Sequence, residues 1–592
     1  MTAPRAARVR APELEGAGGW IGTDAPLTLA GLRGRFVLLD FWTYCCVNCL
    51  HVLDELRPVE ARFADVLVVI GVHSPKFAHE ADHGSVVAAV ERYEVHHPVL
   101  DDPELRTWKQ YAVRAWPTLV LVDPEGYVVH VASGEGHAEG LARLLEELVA
   151  EHDAKGTLRR GDGHWVAPEP PATDLRFPGK ALRLPDGTLL VSDSARHSLV
   201  VLDGETVVRR IGDGTRGLVD GPSPRFSEPQ GLALLPDGTV VVADSVNHAL
   251  RRLDLATGEV TTLAGTGRQW RPGEPTAGPA LEVALSTPWD VAWWDGEVVV
   301  AMAGTHQLWA LRDGELRVLA GTTGEGLRDG DALSAYLAQP SGLAAGADRL
   351  WFADAETSAL RWYREGEVGS AVGTGLFDFG HRDGPAAQAL LQHPLGVTAL
   401  PDGSVAVCDT YNGAVRRYDP ARDEMTTLMT GLSEPSDAVV DGEHLLVVES
   451  AAHRVTRLRL PDEALVVDGV AQRTQRPAQD VAPGRVQLAV VFEPPPGQHL
   501  DERYGPSTRL VVSASPPELL LEGAGAATDL GRELVLAPGD GVLHVAATAA
   551  SCDDASGPDE HPACHITQQD WGIPVRVVEG APVEIGLVLR GI

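Results

Sequence analysis

Two cysteines, Cys46 and Cys49, carry the most specific chemistry in this chain. Their spacing, Cys46-Val47-Asn48-Cys49, lets two thiols meet across one helical turn and close a small disulfide ring. An apolar run from Phe36 to Trp42 leads into the pair, and LHVLDELRPVEARF follows with helical periodicity. A buried strand that delivers a C-x-x-C to the start of a helix is a redox arrangement. Unpaired backbone N–H groups and the helix dipole at that point favour the thiolate of the first cysteine near neutral pH. Cys46 is therefore expected to be the nucleophile and Cys49 the resolving thiol. The bland alternative is a pair of inert buried thiols.

Cys45, immediately before the nucleophile, is a third thiol. Adjacent cysteines bridge each other only with strain, so Cys45 is read as accessory to the pair. A zinc ion on Cys45, Cys46 and Cys49 would need a fourth ligand, His51 or His73. The reading adopted has no metal and no cofactor. Val47-Asn48 lacks the proline common in reducing thioredoxins, which leaves the direction of electron flow open.

The elements around the dithiol follow a recognisable order. VLVVIGV (66 to 72) has the continuous apolar character of a parallel strand buried on both faces. RAWPTLVLVDPEGYVVHV (114 to 131) reads as strand, turn, strand, and AEGLARLLEELVAEH closes a domain spanning 1–155. This order resembles the thioredoxin-like fold. There a cis proline faces the C-x-x-C pair, and the resemblance assigns that position to Pro117, preceded by Trp116. The competing reading is a trans proline at a strand entry, since cis bonds are only about 5–6% of X-Pro bonds.

Residues 156–172 are Gly- and Pro-rich and read as a linker. From 173 to 462 a unit recurs, starting at Pro178, Pro229, Pro288, Pro340, Pro394 and Pro435. The recurrent unit is a PDG-type turn, a strand, an acidic residue, a short polar turn and another strand. Such a period predicts a β-propeller, here with six blades, closed by a strand from before Pro178. His197, His248 and His453 recur at one offset from Asp193, Asp244 and Glu449. They either tie down each unit's own turn or converge on a channel metal. The first reading is adopted.

Residues 463–592 alternate apolar and polar positions between Pro-rich turns and predict a small antiparallel β-sandwich. Cys552 and Cys564 bracket an acidic loop there. The loop resembles the cysteine-bearing loop of the immunoglobulin-like N-terminal domain of transmembrane disulfide reductases, which would make it a redox partner. A zinc site with His561 and His565, or two unrelated thiols, are the alternatives. Cys408, in the strand VAVCD, reads as a core thiol.

WTYCCVNCLH together with the two following domains resembles the NHL-repeat-containing protein 2 family. The resemblance implies a multidomain chain, α/β plus all-β: a thioredoxin-like domain, an NHL-repeat β-propeller and a C-terminal β domain.

Composition narrows the function. The 592 residues carry 83 acidic and 49 basic side chains, a net charge of −34. Nucleic acid and anionic membranes need basic patches, so neither is expected as a partner. The N-terminus lacks the apolar segment of a signal peptide, and six cysteines in this length fit a reducing compartment. The expectation is a cytoplasmic thiol–disulfide oxidoreductase acting on a protein disulfide or thiol partner, with the propeller docking that protein. The competing classes are a redox-silent interaction scaffold and a propeller hydrolase with a channel metal.

Overall fold

The computed structural model describes residues 9–167, 172–376, 378–460, 471–473, 478–494, 498–500, 506–553 and 564–590. The chain divides into two compact units. One is Met1–Pro170 together with Gln475–Ile592, and the other is Pro171–Thr474.

The first unit begins with an α/β part. Its strands are β1 (Val9–Arg10), β2 (Gly19–Ile21), β3 (Phe36–Trp42), β4 (Leu67–His73), β5 (Val99–Asp101), β6 (Thr118–Val122) and β7 (Tyr127–Ser133). Its helices are α1 (Val47–Arg62), α2 (His83–Arg92), α3 (Arg106–Gln110) and α4 (Ala138–Lys155). The sheet order is β1-β7-β6-β3-β4-β5-β2, which puts β3 at the centre. All seven residues of β3 are buried, as a strand covered on both faces must be. Alternation sends Phe36 and Leu38 toward α1 and α4, where they pack with Val52, Leu56, Leu141 and Leu145. Val37, Leu39 and Phe41 point the other way, onto Leu105 and Trp108. Helix α1 starts at Val47 because Cys46 is still extended (φ −87°, ψ 113°).

Residues 156–167 are not a free linker, contrary to the sequence expectation. The Arg159 amide donates to Gly34 O at 2.6 Å, that of Gly161 to Asp65 O at 2.9 Å, and that of Val166 to Gly22 O at 2.9 Å. Glycine and proline lower regularity, but here the irregular backbone finds its hydrogen-bond partners on the domain it has just left.

The unit's second part, after residue 478, is two sheets around one apolar core that includes Leu488, Leu510, Leu543 and Leu587. Most neighbours run antiparallel. Two pairs do not: Gly484–Glu493 with Glu584–Arg590, and Gln479–Val481 with Cys564–Val577, are parallel. This corrects the all-antiparallel expectation. Alternation shows which face a residue takes but not which distant strand lies beside it.

Among the described residues the second unit holds one two-stranded antiparallel pairing, of Asp378–Gly380 with Ala471–Arg473, and six antiparallel sheets of three to five consecutive strands. Their first strands are Ala181–Arg183, Pro229–Leu234, Pro288–Trp294, Pro340–Ala345, Gly396–Ala399 and Pro435–Asp441. Each packs on the next, and the sixth packs on the first. The recurring histidines join successive sheets. Nδ1 of His197, His248 and His306 accepts the amide of Glu228, Thr287 and Gln339, each just before or at the start of the following sheet. His453 does the same for the Phe177 amide at 3.0 Å and so closes the ring. No strand from before Pro178 joins the last sheet among the described residues. Leu175 instead packs with Leu446 and Val448.

A second device repeats inside the sheets. Arg251, fully buried, bridges Asp244 and Asp220, each at 2.7 Å. Arg361 bridges Asp354 and Asp329, and Arg416 bridges Asp409 and Asp383. Burial pushes Asp244 and Asp409 up to about 6, against the pull of their arginines. At the centre, buried Lys180 donates to Leu395 O at 2.6 Å and stands 3.4 Å from Asp290 and 3.9 Å from Asp437.

His453→Ala strands the Phe177 amide at the one seam where the chain is not continuous. It is expected to destabilise the second unit by about 1–3 kcal/mol, the cost of an unsatisfied buried donor. Urea unfolding followed by tryptophan fluorescence measures it, and His248→Ala provides the comparison at an internal seam.

Candidate functional site: a dithiol at the end of the central strand

The dithiol stands where β3 ends and α1 begins. Cys46 is the N-cap residue and partly exposed, whereas Cys49, in the first turn, is fully buried. The Cys49 and Leu50 amides donate to Cys46 O at 3.0 and 3.2 Å, so the first turn is set by the carbonyl of Cys46 itself. The thiols are therefore unequal. Burial pushes the Cys49 thiol well up, and its hydrogen bond with Cys46 and the charges of Cys46 and Asp40 add to this; the Thr43 backbone amide works in the opposite sense.

β6 supplies the facing wall. It runs antiparallel to β3, with Thr118 opposite Phe41. Pro117 thus lies one residue beyond that pair, on the side of the dithiol. The Trp116–Pro117 bond is cis. Pro117 O accepts the Gly134 amide at 3.0 Å, and Thr118 Oγ1 donates to Ala115 O at 2.7 Å, which fixes the turn. The Trp116 ring lies 4.6 Å from that of Trp108.

Asp40 was missed by the reading of the sequence. It is the one charged residue in the apolar run FVLLDFW, and that interruption was the available signal. Its side chain shares the α1 face with Phe36 and Leu38, is fully buried, and neither oxygen has a hydrogen-bond partner. Burial raises it to about 7, opposed by His97 and reinforced by Glu60.

The remaining sequence candidates separate. Cys45 is buried beside the pair. His51 Nδ1 is engaged with Glu135, and the His73 ring is stacked on Tyr44 at 5.4 Å. Among the described residues the grouping of metal-type ligands is Asp123, Glu125 and His152, which includes none of these thiols. Cys552 is disulfide-bonded and buried, with Cys564 directly opposite it in the strand register. This corrects the zinc and unrelated-thiol readings, because a sulfur already in a disulfide does not offer a thiolate to metal. His561 and the acidic loop lie outside the described residues. Cys408 is buried, and burial pushes its thiol up. The C-terminal sheets meet the dithiol's domain at the turn that carries Pro117: Arg114 Nη1 donates to Gly586 O at 2.9 Å, and Ala115 packs into their core.

Comparison with known proteins supports both kinds of domain. Residues 34–128 match the thioredoxin-like family, and residues 226–253 and 391–418 match the NHL repeat. The Arabidopsis thaliana Protein SUPPRESSOR OF QUENCHING 1, chloroplastic, is 35% identical over 73% of this chain, which spans only 44% of that protein. The Geobacillus kaustophilus thiol-disulfide oxidoreductase ResA is 28% identical over 20% of this chain and 67% of its own length. Human NHL repeat-containing protein 2 is 32% identical over 86% of this chain and 82% of its own length. With a thioredoxin-like domain, NHL repeats and this near-complete coverage, the chain belongs to the NHL repeat-containing protein 2 family.

Proposed function

We propose that this chain is a thiol–disulfide oxidoreductase of protein substrates. The observation that carries the reading is the inequality of the two thiols: Cys46 reaches solvent at a helix start, and Cys49 waits buried one turn on. In the reducing direction the Cys46 thiolate attacks a substrate disulfide and one substrate thiolate leaves. Cys49 then loses its proton and attacks the Cys46 sulfur, releasing the second substrate thiolate. Pro117 and Trp116 form the wall along which the substrate backbone lies. The six sheets of the second unit serve as a six-bladed propeller that docks the protein partner, and the C-terminal sheets as a sandwich beside the Pro117 turn. No described helix is long and apolar enough to cross a membrane. We assign the chain to the cytoplasm on its sparse cysteines. A reducing cytoplasm keeps most thiols free, so the oxidation state of Cys552 in rapidly acid-quenched cells tests that assignment.

Titrating the reduced full-length protein with glutathione disulfide, with mass-spectrometric mapping of cysteine pairs, tests the reading. A reversible Cys46–Cys49 disulfide is expected, in the range of about −270 to −200 mV. Cys46→Ser abolishes exchange, whereas Cys49→Ser accumulates the mixed disulfide on Cys46. Failure of any Cys46–Cys49 pair to form overturns the reading and favours the redox-silent scaffold.

Asp40 is the group placed to take the proton that Cys49 must lose. Its carboxyl ionises at about 7 in the folded chain against 3.8 when unperturbed. The native state thus holds a proton that the unfolded chain has released, and stability falls as pH rises from about 4 to about 7. Asp40→Asn removes that loss. The variant is expected to match the parent near pH 4 and to exceed it at pH 8 by a few kcal/mol, at about 1.4 kcal/mol per pKa unit. It is also expected to resolve mixed disulfides at least about tenfold more slowly, within the usual size of a general-base contribution. Denaturant unfolding at the two pH values and quenched-flow trapping measure the two effects.

A further inference from the structure

The dithiol reading leaves one chemical problem. Three thiols lie within five positions, Cys45, Cys46 and Cys49, and exchange must use only two. Sequence spacing does not separate Cys45 from Cys46 decisively. The structure contains a group that does.

Glu80 sits in a short 3₁₀ turn, His79–Ala81, and is 0% exposed. Its Oε1 accepts the Thr43 hydroxyl at 2.6 Å and the Cys45 amide at 3.0 Å. Its Oε2 accepts the Lys76 and Phe77 amides, both at 2.9 Å. Four donors fill the four lone-pair sites of one carboxylate. Charge-assisted bonds of this kind are roughly twice as strong as neutral ones. A buried charge is tolerated only when it is satisfied in this way.

The held turn is the one from which the dithiol takes its backbone contacts. Thr43 O accepts the Cys46 amide at 3.4 Å, and the Thr43 amide faces the Cys49 sulfur. The same carboxylate grips the Cys45 amide, and the Cys45 side chain is left 2% exposed, with its sulfur 3.8 Å from Thr43 Oγ1. Cys45 is thus held inward, while Cys46, the next residue and extended at φ −87°, ψ 113°, is partly exposed.

We propose that Glu80 is a positioning residue that selects Cys46, and rejects Cys45, as the thiol presented for exchange. The proposal builds on the dithiol reading but does not share its test. Glu80 touches no reacting atom; it acts by fixing the Thr43–Cys45 turn.

The probe is glutathione disulfide. In the parent, the Cys46 thiolate attacks one glutathione sulfur, the glutathione S–S bond breaks and one glutathione thiolate leaves. Cys49 gives up its proton and attacks the Cys46 sulfur, the Cys46–glutathione S–S bond breaks, and the second glutathione leaves as a thiolate. Only Cys46–Cys49 is expected, with Cys45 still a thiol and resistant to iodoacetamide in the native protein. In Glu80→Ala, Cys45 is expected to alkylate at least about tenfold faster and to appear in glutathione adducts and in disulfides with Cys49. Glu80→Gln, whose amide oxygen can still accept from Thr43 and Cys45, is expected to restore much of the parental pairing. Simple destabilisation would not predict that recovery. Should Glu80→Ala unfold the domain, so that circular dichroism is lost, Thr43→Val decides. It removes one of the four donors and is expected to raise Cys45 alkylation while the fold persists. Parental Cys45 protection and pairing in a folded Glu80→Ala, or in Thr43→Val where Glu80→Ala is unfolded, overturns the proposal. Absence of a Cys46–Cys49 disulfide in the parent itself would instead overturn the proposed function, while Cys45 protection by Glu80 would still be read by alkylation.

Discussion

The pairing of β3 with β6 is the constraint on which the site depends. Phe41 opposite Thr118, 77 positions later in the chain, brings the turns that follow and precede them to the same edge of the sheet. One turn carries the dithiol and the other Pro117. Side chains on a strand alternate with a period of two, so a slip of one residue would reverse every face. Asp40 would leave the α1 side, and Cys46 would no longer follow a strand end that faces Pro117. β3 has apolar neighbours above, below and on both flanks, and that burial is what fixes the register. Core packing and site geometry are thus one requirement here.

The second unit solves a different problem with polar groups. Apolar clusters such as that of Val241, Leu250, Val300 and Trp309 join successive sheets, and buried polar groups, whose burial costs free energy, fix the geometry within and between them. The Asp–Arg–Asp bridges illustrate the balance. Burial raises the carboxyl pKa of Asp244 and Asp409, yet each carboxylate also accepts from an asparagine side chain and a backbone amide. A buried ion pair whose carboxylate accepts three hydrogen bonds can hold a geometry even where it adds little net stability. The histidine contacts add the same kind of specification between sheets, each imidazole accepting one amide that would otherwise be stranded.

What the sequence disclosed follows from the range of each interaction. The dithiol, the strand before it and the recurring proline units were legible because their signals are local or periodic. The family resemblance followed from them. Asp40 was legible in principle, as a charge inside an apolar strand, but the cysteines beside it drew the reading. Glu80 was not, because nothing local ties a residue in HSPKFAHE to the Cys45 amide 35 positions earlier. Residues 156–167 look like a linker by composition and are instead strapped to the α/β part, since composition reports flexibility of the free chain and not the partners it finds. The parallel strand pairs of the C-terminal sheets were hidden for the same reason.

The centre of the second unit bears on the remaining alternative, a hydrolase using a metal in the channel. Two residues after each recurring proline the chain carries Lys180, Gly231, Asp290, Gly342, Gly396 and Asp437. A Cβ at Gly231 would lie 2.4 Å from the Asp290 backbone, and one at Gly342 would lie 2.7 Å from Leu395 O, so glycine permits the close approach of these strands. Asp290 and Asp437 are the carboxylates that would suit a cation. The chain supplies that cation itself. The Lys180 ammonium stands between them, and their charges raise its pKa against the effect of burial, which keeps it protonated. A divalent ion on the same carboxylates would meet a fixed positive charge a few ångströms away in a medium of low dielectric, where that repulsion is large. The histidines that might have completed such a site are occupied between the sheets. The groups that could have made this unit a metal hydrolase are those that hold it together.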